Sequence, residues 1–176
     1  MNRKDNYQRV NLRRYKKDEK DKKLIIKWYQ KEEIYSLFEE KRPNFRDIEE
    51  MFDKNVKAIS SNTAFIIEFQ GLPVGVVRYF FEYQQYNKYE LMGNKHTIFR
   101  CDIFIGEPCF RNRKIGRYAL KHLVKIIRST YKNPRVYANI KKDNKQAIKC
   151  FRHAGFKRAI ELDFDNTKKG VRTYVY

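Results

Sequence analysis

The sequence is poor in the residues that mark disulfide-built and metal-built folds. Its three cysteines, Cys101, Cys109 and Cys150, are odd in number and lack Cys-x-x-Cys spacing. They support neither a disulfide framework nor a zinc knuckle, and read as free thiols of a reducing compartment. The three histidines, His96, His122 and His153, have no paired metal-ligand spacing, so no metal is expected. No Pro/Gly/Ser-rich linker interrupts the 176 residues, and one domain is expected. No apolar run approaches the ~20 residues of a membrane span, and the start MNRKDNYQRV lacks the apolar core of a signal peptide. The chain is expected in the cytoplasm, with no membrane partner.

Negative charge is also scarce, with 21 Asp and Glu against 40 Lys and Arg and a formal net charge of +19. The excess is not spread evenly. Residues 106–158 hold 16 cations and 2 carboxylates, net +14, whereas residues 61–105 are net neutral. Such concentration points to a localised polyanion site or a basic face rather than a general wash of lysine. Apolar residues at 41% and aromatics at 15%, including 13 Phe and 13 Tyr, give too much buriable surface for a disordered tail.

Tyr7 to Tyr15 alternates loosely through Val10 and Leu12 and predicts an opening strand. Leu24, Ile25 and Trp28 have helical spacing after the acidic start Asp18, Glu19, Asp21, where the helix dipole favours negative charge. Ile34, Leu37 and Phe38 predict a second helix. Ile48, Met51, Phe52, Val56 and Ile59, after Pro43-Asn44, predict a third. From Thr63 the period becomes two. AFIIEF, the turn Gln70-Gly71-Leu72-Pro73 and VGVVRYFF predict a hairpin, and IFRCDIFIG (98–106) a central strand after a polar loop over 85–96. A helix is predicted from about Arg117, a strand over 135–140, a helix from Asn144 to His153, and closing strands FKRAIELDF and VRTYVY. This order predicts a mixed α/β sheet of about seven strands with helices on both faces, including one right-handed βαβ unit. A ligand belongs at the carboxyl ends of its parallel strands, at Gly106 to Arg117.

The loop Arg111-Asn112-Arg113-Lys114-Ile115-Gly116-Arg117 sets four cations immediately before a helix. Backbone N–H groups at a helix start and the helix dipole make an anion cradle, and Gly116 lets the backbone approach a phosphate closely. GxxxxGK[ST] and GxGxxG are both absent, so a pyrophosphate without catalytic magnesium is expected. A solvated basic turn is the alternative for this loop taken alone.

DIFIGEP (102–108), the basic loop ending Ile115-Gly116 and NKQAIKCFRHAGF (144–156) together resemble the acetyl-CoA-binding segments of the GNAT superfamily of N-acetyltransferases. More narrowly, they resemble the branch containing aminoglycoside 6'-N-acetyltransferases. The resemblance is close from about Thr63 to Ala159 and only topological over the first 60 residues. It implies a single GNAT-like domain with a central mixed, mostly antiparallel sheet. Residues 1–60 would form the substrate side, 61–158 the acetyl-CoA-binding core and 159–176 a C-terminal hairpin. It also implies direct acetyl transfer from acetyl-CoA to a primary amine of a small molecule, with no covalent enzyme intermediate. Ile103, Phe104 and Ile105 would hold the pantetheine arm, their strand splaying from 135–140 to admit it. Arg111 and the backbone of Arg113, Lys114, Ile115, Gly116 and Arg117 would bind the pyrophosphate, and Asn144 would touch the pantetheine. Lys141, Lys142 and Lys145 are candidates for the 3'-phosphate on charge alone. Two positions depart from the family pattern. Lys114 stands where a glycine is usual, and Phe151, also expected at the cofactor, where many members have a tyrosine whose hydroxyl protonates the leaving thiolate.

Asp102 matches the branch's strand aspartate, which implies positioning or deprotonating the substrate amine. An alkylammonium with a pKa near ~10 must lose a proton before it attacks a thioester. The alternative is a strand carboxylate paired with Arg100 or another cation. Glu82 is a second candidate for substrate binding, Glu107 is expected to be structural, and Cys109 incidental, because direct transfer needs no thiol. The resemblance suggests an aminoglycoside acceptor. A chain of net +19 repels such polycations at long range, while the neutral segment 61–105, with Glu82, Glu90 and Asp102, leaves a local pocket open. Other readings are a different amine or hydroxylamine such as a siderophore precursor, a non-catalytic CoA-binding domain, and nucleic-acid binding through the 106–158 face. Oligomeric state is not readable from the sequence.

Overall fold

The computed structural model describes residues 7–53, 62–82, 96–159 and 170–176. Seven strands, β1 (Val10–Arg14), β2 (Asn62–Phe69), β3 (Leu72–Phe81), β4 (Thr97–Ile105), β5 (Pro134–Lys141), β6 (Lys157–Arg158) and β7 (Val171–Val175), form one open sheet in the order β1-β2-β3-β4-β5-β7-β6. Every pairing is antiparallel except that of β4 with β5. Helices α1 (Glu19–Tyr29), α2 (Glu32–Tyr35) and α3 (Phe45–Asp53) precede β2; α4 (Ile115–Thr130) joins β4 to β5, and α5 (Lys145–Ala154) follows β5.

Strand alternation divides the interior in two. Phe65, Ile67, Val77, Tyr79, Phe99 and Cys101 face one way, against Ile115, Ala119, Leu120, Leu123 and Val124 of α4 and Phe151 and Ala154 of α5. Ala64, Ile66, Val76 and Phe104 face the other, against Ile25, Trp28, Tyr29, Ile34, Ile48 and Phe52 of α1–α3. The mixed sheet with helices on both faces is therefore as expected. The entry to α1 is set by Asp18, whose carboxylate accepts the Asp21 N–H at 2.8 Å. The buried Asp21 grips Arg13 of β1 through two hydrogen bonds of 2.7 and 2.8 Å, which fixes the first helix to the sheet edge.

Several boundaries differ from the sequence reading. The opening strand has five residues, Val10–Arg14, and α2 is a single turn ending before Leu37 and Phe38. The hairpin turns on Gln70 and Gly71 alone, both with left-handed backbone (φ 54° and 80°), a tight turn whose twist matches the strands. Leu72 and Pro73 are thus already in β3. Helix α4 starts at Ile115, not near Arg117, because Lys114 turns the chain through φ 66°. Of FKRAIELDF, only Lys157–Arg158 is strand among the described residues. Val56, Ile59, Glu90, the rest of that segment and the turn beginning at Asn166 lie outside them up to Gly170. No helix among the described residues is long and apolar enough to cross a membrane.

Candidate active site

The parallel pairing of β4 with β5 stops after four rungs, Thr97 to Arg100 against Pro134 to Tyr137. Beyond that point β4 pairs only with β3, and β5 with β7 from Tyr137 onward. The two central strands therefore part, as expected, with Asp102 two residues past the last rung. A cavity of about 680 Å³ adjoins the parted strand. Ile103, Phe104 and Ile105 line one side of it. Arg111, Lys114, Ile115, Gly116 and Arg117 line its loop and helix end, and Asn144, Ala147, Cys150 and Phe151 its α5 wall. Ten of the eleven residues singled out for acetyl-CoA line it; the exception is Arg113, which lies over the Phe110 ring at 5.5 Å.

The first turn of α4 offers N–H groups without helical acceptors. Its N-cap Lys114 makes no side-chain capping hydrogen bond among the described residues. Gly116 is packed so that an added Cβ would meet Cys150 Sγ at 3.1 Å, so the residue is small for helix packing as well as for anion access. Arg117 leans over Tyr118, 4.9 Å from the ring centroid, and its buried Nε has no hydrogen-bond partner among the described residues. Asn144 caps α5, accepting the Ala147 N–H at 2.9 Å. The Cys150 thiol is pushed up to about 11 by burial, and burial likewise raises Cys101; neither is a thiolate at neutral pH.

Other charges near the cavity are already engaged. Arg111 donates Nε to the Ile105 carbonyl at 3.0 Å and lies 3.4 Å from Glu33. Glu33, Ile34 and Leu37 bring the segment after α1 to the cavity's edge. That segment is tied by Lys31 Nζ to the Gly106 carbonyl at 3.1 Å and by Lys141 Nζ to the Ser36 carbonyl at 2.8 Å. Lys141, a candidate for the 3'-phosphate, thus makes this carbonyl bond in the structure. Lys142 and Lys145 line a separate basic furrow with Lys149, Arg152, His153 and Arg172. Glu107 accepts from Lys27 Nζ and Trp28 Nε1, both at 2.8 Å, and the Lys27 bond, followed by that of Trp28, holds its carboxyl below the usual range. This fits a structural role.

Asp102 lies on the α1–α3 face. Its partner is Arg78, opposite it on β3, with Nε donating to Oδ1 at 2.7 Å. Arg100, the partner first considered, instead lies 3.1 Å from Glu82. Arg78 is 5% exposed and was not anticipated, although a lone cation inside VGVVRYFF is a signal in itself. No group of three or more His, Cys, Asp or Glu side chains is placed to hold a metal among the described residues.

An open mixed sheet whose central strands part beside the start of α4 defines a GNAT-like acyltransferase fold. A family model for the acetyltransferase (GNAT) domain matches residues 17–164, and the chain belongs to that family. Among curated relatives, the spermine/spermidine N(1)-acetyltransferase of Bacillus subtilis is 30% identical over 79 residues, 45% of this chain and 52% of that protein. The chain thus spans about half the length of the curated relatives it matches. Among solved structures, AAC(6')-Ib in complex with acetyl-CoA superposes with a TM-score of 0.73 at 20% identity, covering 94% of this chain and 91% of that one. A chimera of the spermidine N-acetyltransferase SpeG from Vibrio cholerae and hSSAT gives 0.70 at 16% identity, covering 95% and 94%.

Proposed function

We propose that the protein is an acetyl-CoA-dependent N-acetyltransferase acting on a primary amine of a small molecule. The observation that carries this reading is the basic cavity beside the parted strand, running from Ile103–Ile105 to the start of α4. Glu33 is the one carboxylate among the described residues lining it. Acetyl-CoA bound there supplies an activated acetyl thioester. The N–H groups of Ile115 to Arg117 would hold its pyrophosphate, with Arg113, Lys114 and Arg117 adding charge. The main chain of Ile103 to Ile105 would hold the pantetheine arm from one side, and Asn144 from the other. On this reading 61–158 is the cofactor core and the first 60 residues the acceptor side, with 159–176 a C-terminal segment whose strand β7 pairs with β5.

On the acceptor face, Asp102 would receive the amine. Arg78 occupies Oδ1, so the second carboxylate oxygen remains to accept an N–H and aim the nitrogen at the thioester. Phe151 has no proton to give, and water would protonate the departing thiolate. Aminoglycosides and polyamines are the acceptor classes named for the neighbours; the small-amine reading embraces both. A thiol-release assay with acetyl-CoA across an amine panel, alongside calorimetry of CoA binding, tests this. Asp102→Asn should leave CoA affinity nearly unchanged and lower turnover roughly a hundredfold, the scale of losing a positioned proton acceptor. A variant retaining more than about half of wild-type turnover removes Asp102 from the chemistry, and a wild-type protein that fails to bind CoA removes the reading itself.

A further inference from the structure

The acidic groups expected to attract the acceptor are already neutralised by arginines of the same sheet face. Arg78 pairs with Asp102 at 2.7 Å and Arg100 with Glu82 at 3.1 Å. The two guanidinium groups form a ladder with aromatic rings. Arg78 stands 4.7 Å from the Phe52 centroid and 4.9 Å from that of Phe80, and Arg100 stands 4.7 Å from Phe80. Rings on both sides favour a cation at Arg78 over a neutral side chain. Arg78 Nη1 is buried with no hydrogen-bond partner among the described residues, and Asp102 is the one carboxylate that pairs with this guanidinium among them. Glu39, whose charge acts with that of Asp102 on the buried Tyr29 phenol, forms no ion pair among the described residues, a complement for one ammonium. The segments 54–61, 83–95 and 160–169 hold six lysines and four acids, Glu90, Glu161, Asp163 and Asp165, so composition offers no hidden acidic surplus.

From this pairing we infer that the acceptor carries no cation other than the amine that is acetylated. Polyamines and aminoglycosides present two or more ammonium groups, and each extra one needs an uncompensated carboxylate or repels Arg78 and Arg100. An acceptor with a neutral or anionic remainder meets neither obstacle. The inference rests on the acetyl-transfer reading.

The test is thiol release from acetyl-CoA with three amines of one chain length: pentylamine, δ-aminovalerate and cadaverine, joined by spermidine and kanamycin. Pentylamine or δ-aminovalerate should exceed cadaverine in kcat/KM by about tenfold or more, with spermidine and kanamycin weaker still. Arg100→Gln, at a half-exposed position that should tolerate the change, frees Glu82 and should narrow the gap severalfold, while CoA affinity by calorimetry stays fixed. Arg78→Gln frees Asp102 and should narrow it further, with its melting temperature checked first because the site is buried. Preference for cadaverine, spermidine or kanamycin in the wild type overturns the inference and leaves acetyl transfer standing. An unchanged preference in Arg100→Gln overturns the arginine mechanism. Turnover of none of the five amines by a protein that binds CoA overturns acetyl transfer to small amines, and the inference with it.

Discussion

Lys114→Gly should leave the fold as stable or slightly more stable, and CoA affinity unchanged or improved, although it removes a cation from an anion site. Lys114 precedes α4 with φ 66° and ψ 4°, a left-handed conformation that costs a residue with a Cβ about 1–2 kcal/mol. Glycine relieves that strain but gives up roughly 0.5–1 kcal/mol of backbone entropy. The balance runs from about zero to ~1.5 kcal/mol in favour of the variant, a rise of up to roughly 3–6 °C in melting temperature for a chain of this size. The side chain is exposed, makes no capping hydrogen bond, and enters no ion pair among the described residues. Its ammonium is therefore worth ~0–1 kcal/mol at most. Lys114→Ala is the control, because it removes the same charge but keeps the Cβ and its strain. Chemical denaturation and calorimetry of CoA binding on both variants separate backbone from charge. The reasoning fails if glycine is less stable than alanine at this position. It also fails if both variants lose CoA affinity about tenfold or more, which would make the ammonium itself a phosphate ligand.

How far the sequence discloses the molecule depends on the range of the interactions involved. The sheet, the βαβ unit and the cavity wall at 103–105, 111–117 and 144–151 follow from periodicity, a basic loop and spaced motifs, all local in sequence. Lys114 stood out as a departure from a glycine, and its positive φ gives that departure a physical form. The exact start of α4 did not follow, because apolar spacing from Ala119 onward says nothing of a turn made by a lysine. The acceptor side was less legible. The Arg78–Asp102 pair spans 24 residues, and the Glu107 bonds to α1 span about 80. Alternation could place Arg78 and Asp102 on one face, but not opposite each other, since that register is set by the β3–β4 pairing. Glu33 reaches Arg111 only through the one-turn helix α2, whose brevity no periodic pattern reveals.

Three further outcomes test the placement of the cavity and its supports. Arg113→Glu combined with Arg117→Glu should weaken CoA binding by about 2 kcal/mol or more, because charge-assisted bonds to phosphate give way to repulsion; unchanged affinity in calorimetry rejects the site. Gly106→Ala should be strongly destabilising, since its Cβ would fall 2.2 Å from Trp28 Cγ. Overpacking of ~1–3 kcal/mol would add to the displaced Trp28–Glu107 hydrogen bond, ~1.5–3 kcal/mol to a charged acceptor; a melting temperature within about 2 °C of wild type would show that the α1 contact yields freely. Asp21→Asn should cost roughly 2–3 kcal/mol at neutral pH, because Arg13 loses two hydrogen bonds at a buried carboxylate while keeping Glu68 at 2.9 Å. The Arg13 hydrogen bonds hold the Asp21 carboxyl below its ordinary value. A group depressed in the folded state stabilises fully above its unfolded pKa, near ~3.9, and loses that contribution as pH falls through the folded value. The melting gap between wild type and variant should therefore be flat from neutral pH to about pH 4 and close below it. A gap that closes instead between about pH 5 and 7 would assign the pH dependence to another group, and with it the strength of the α1 anchor on which the acceptor side depends.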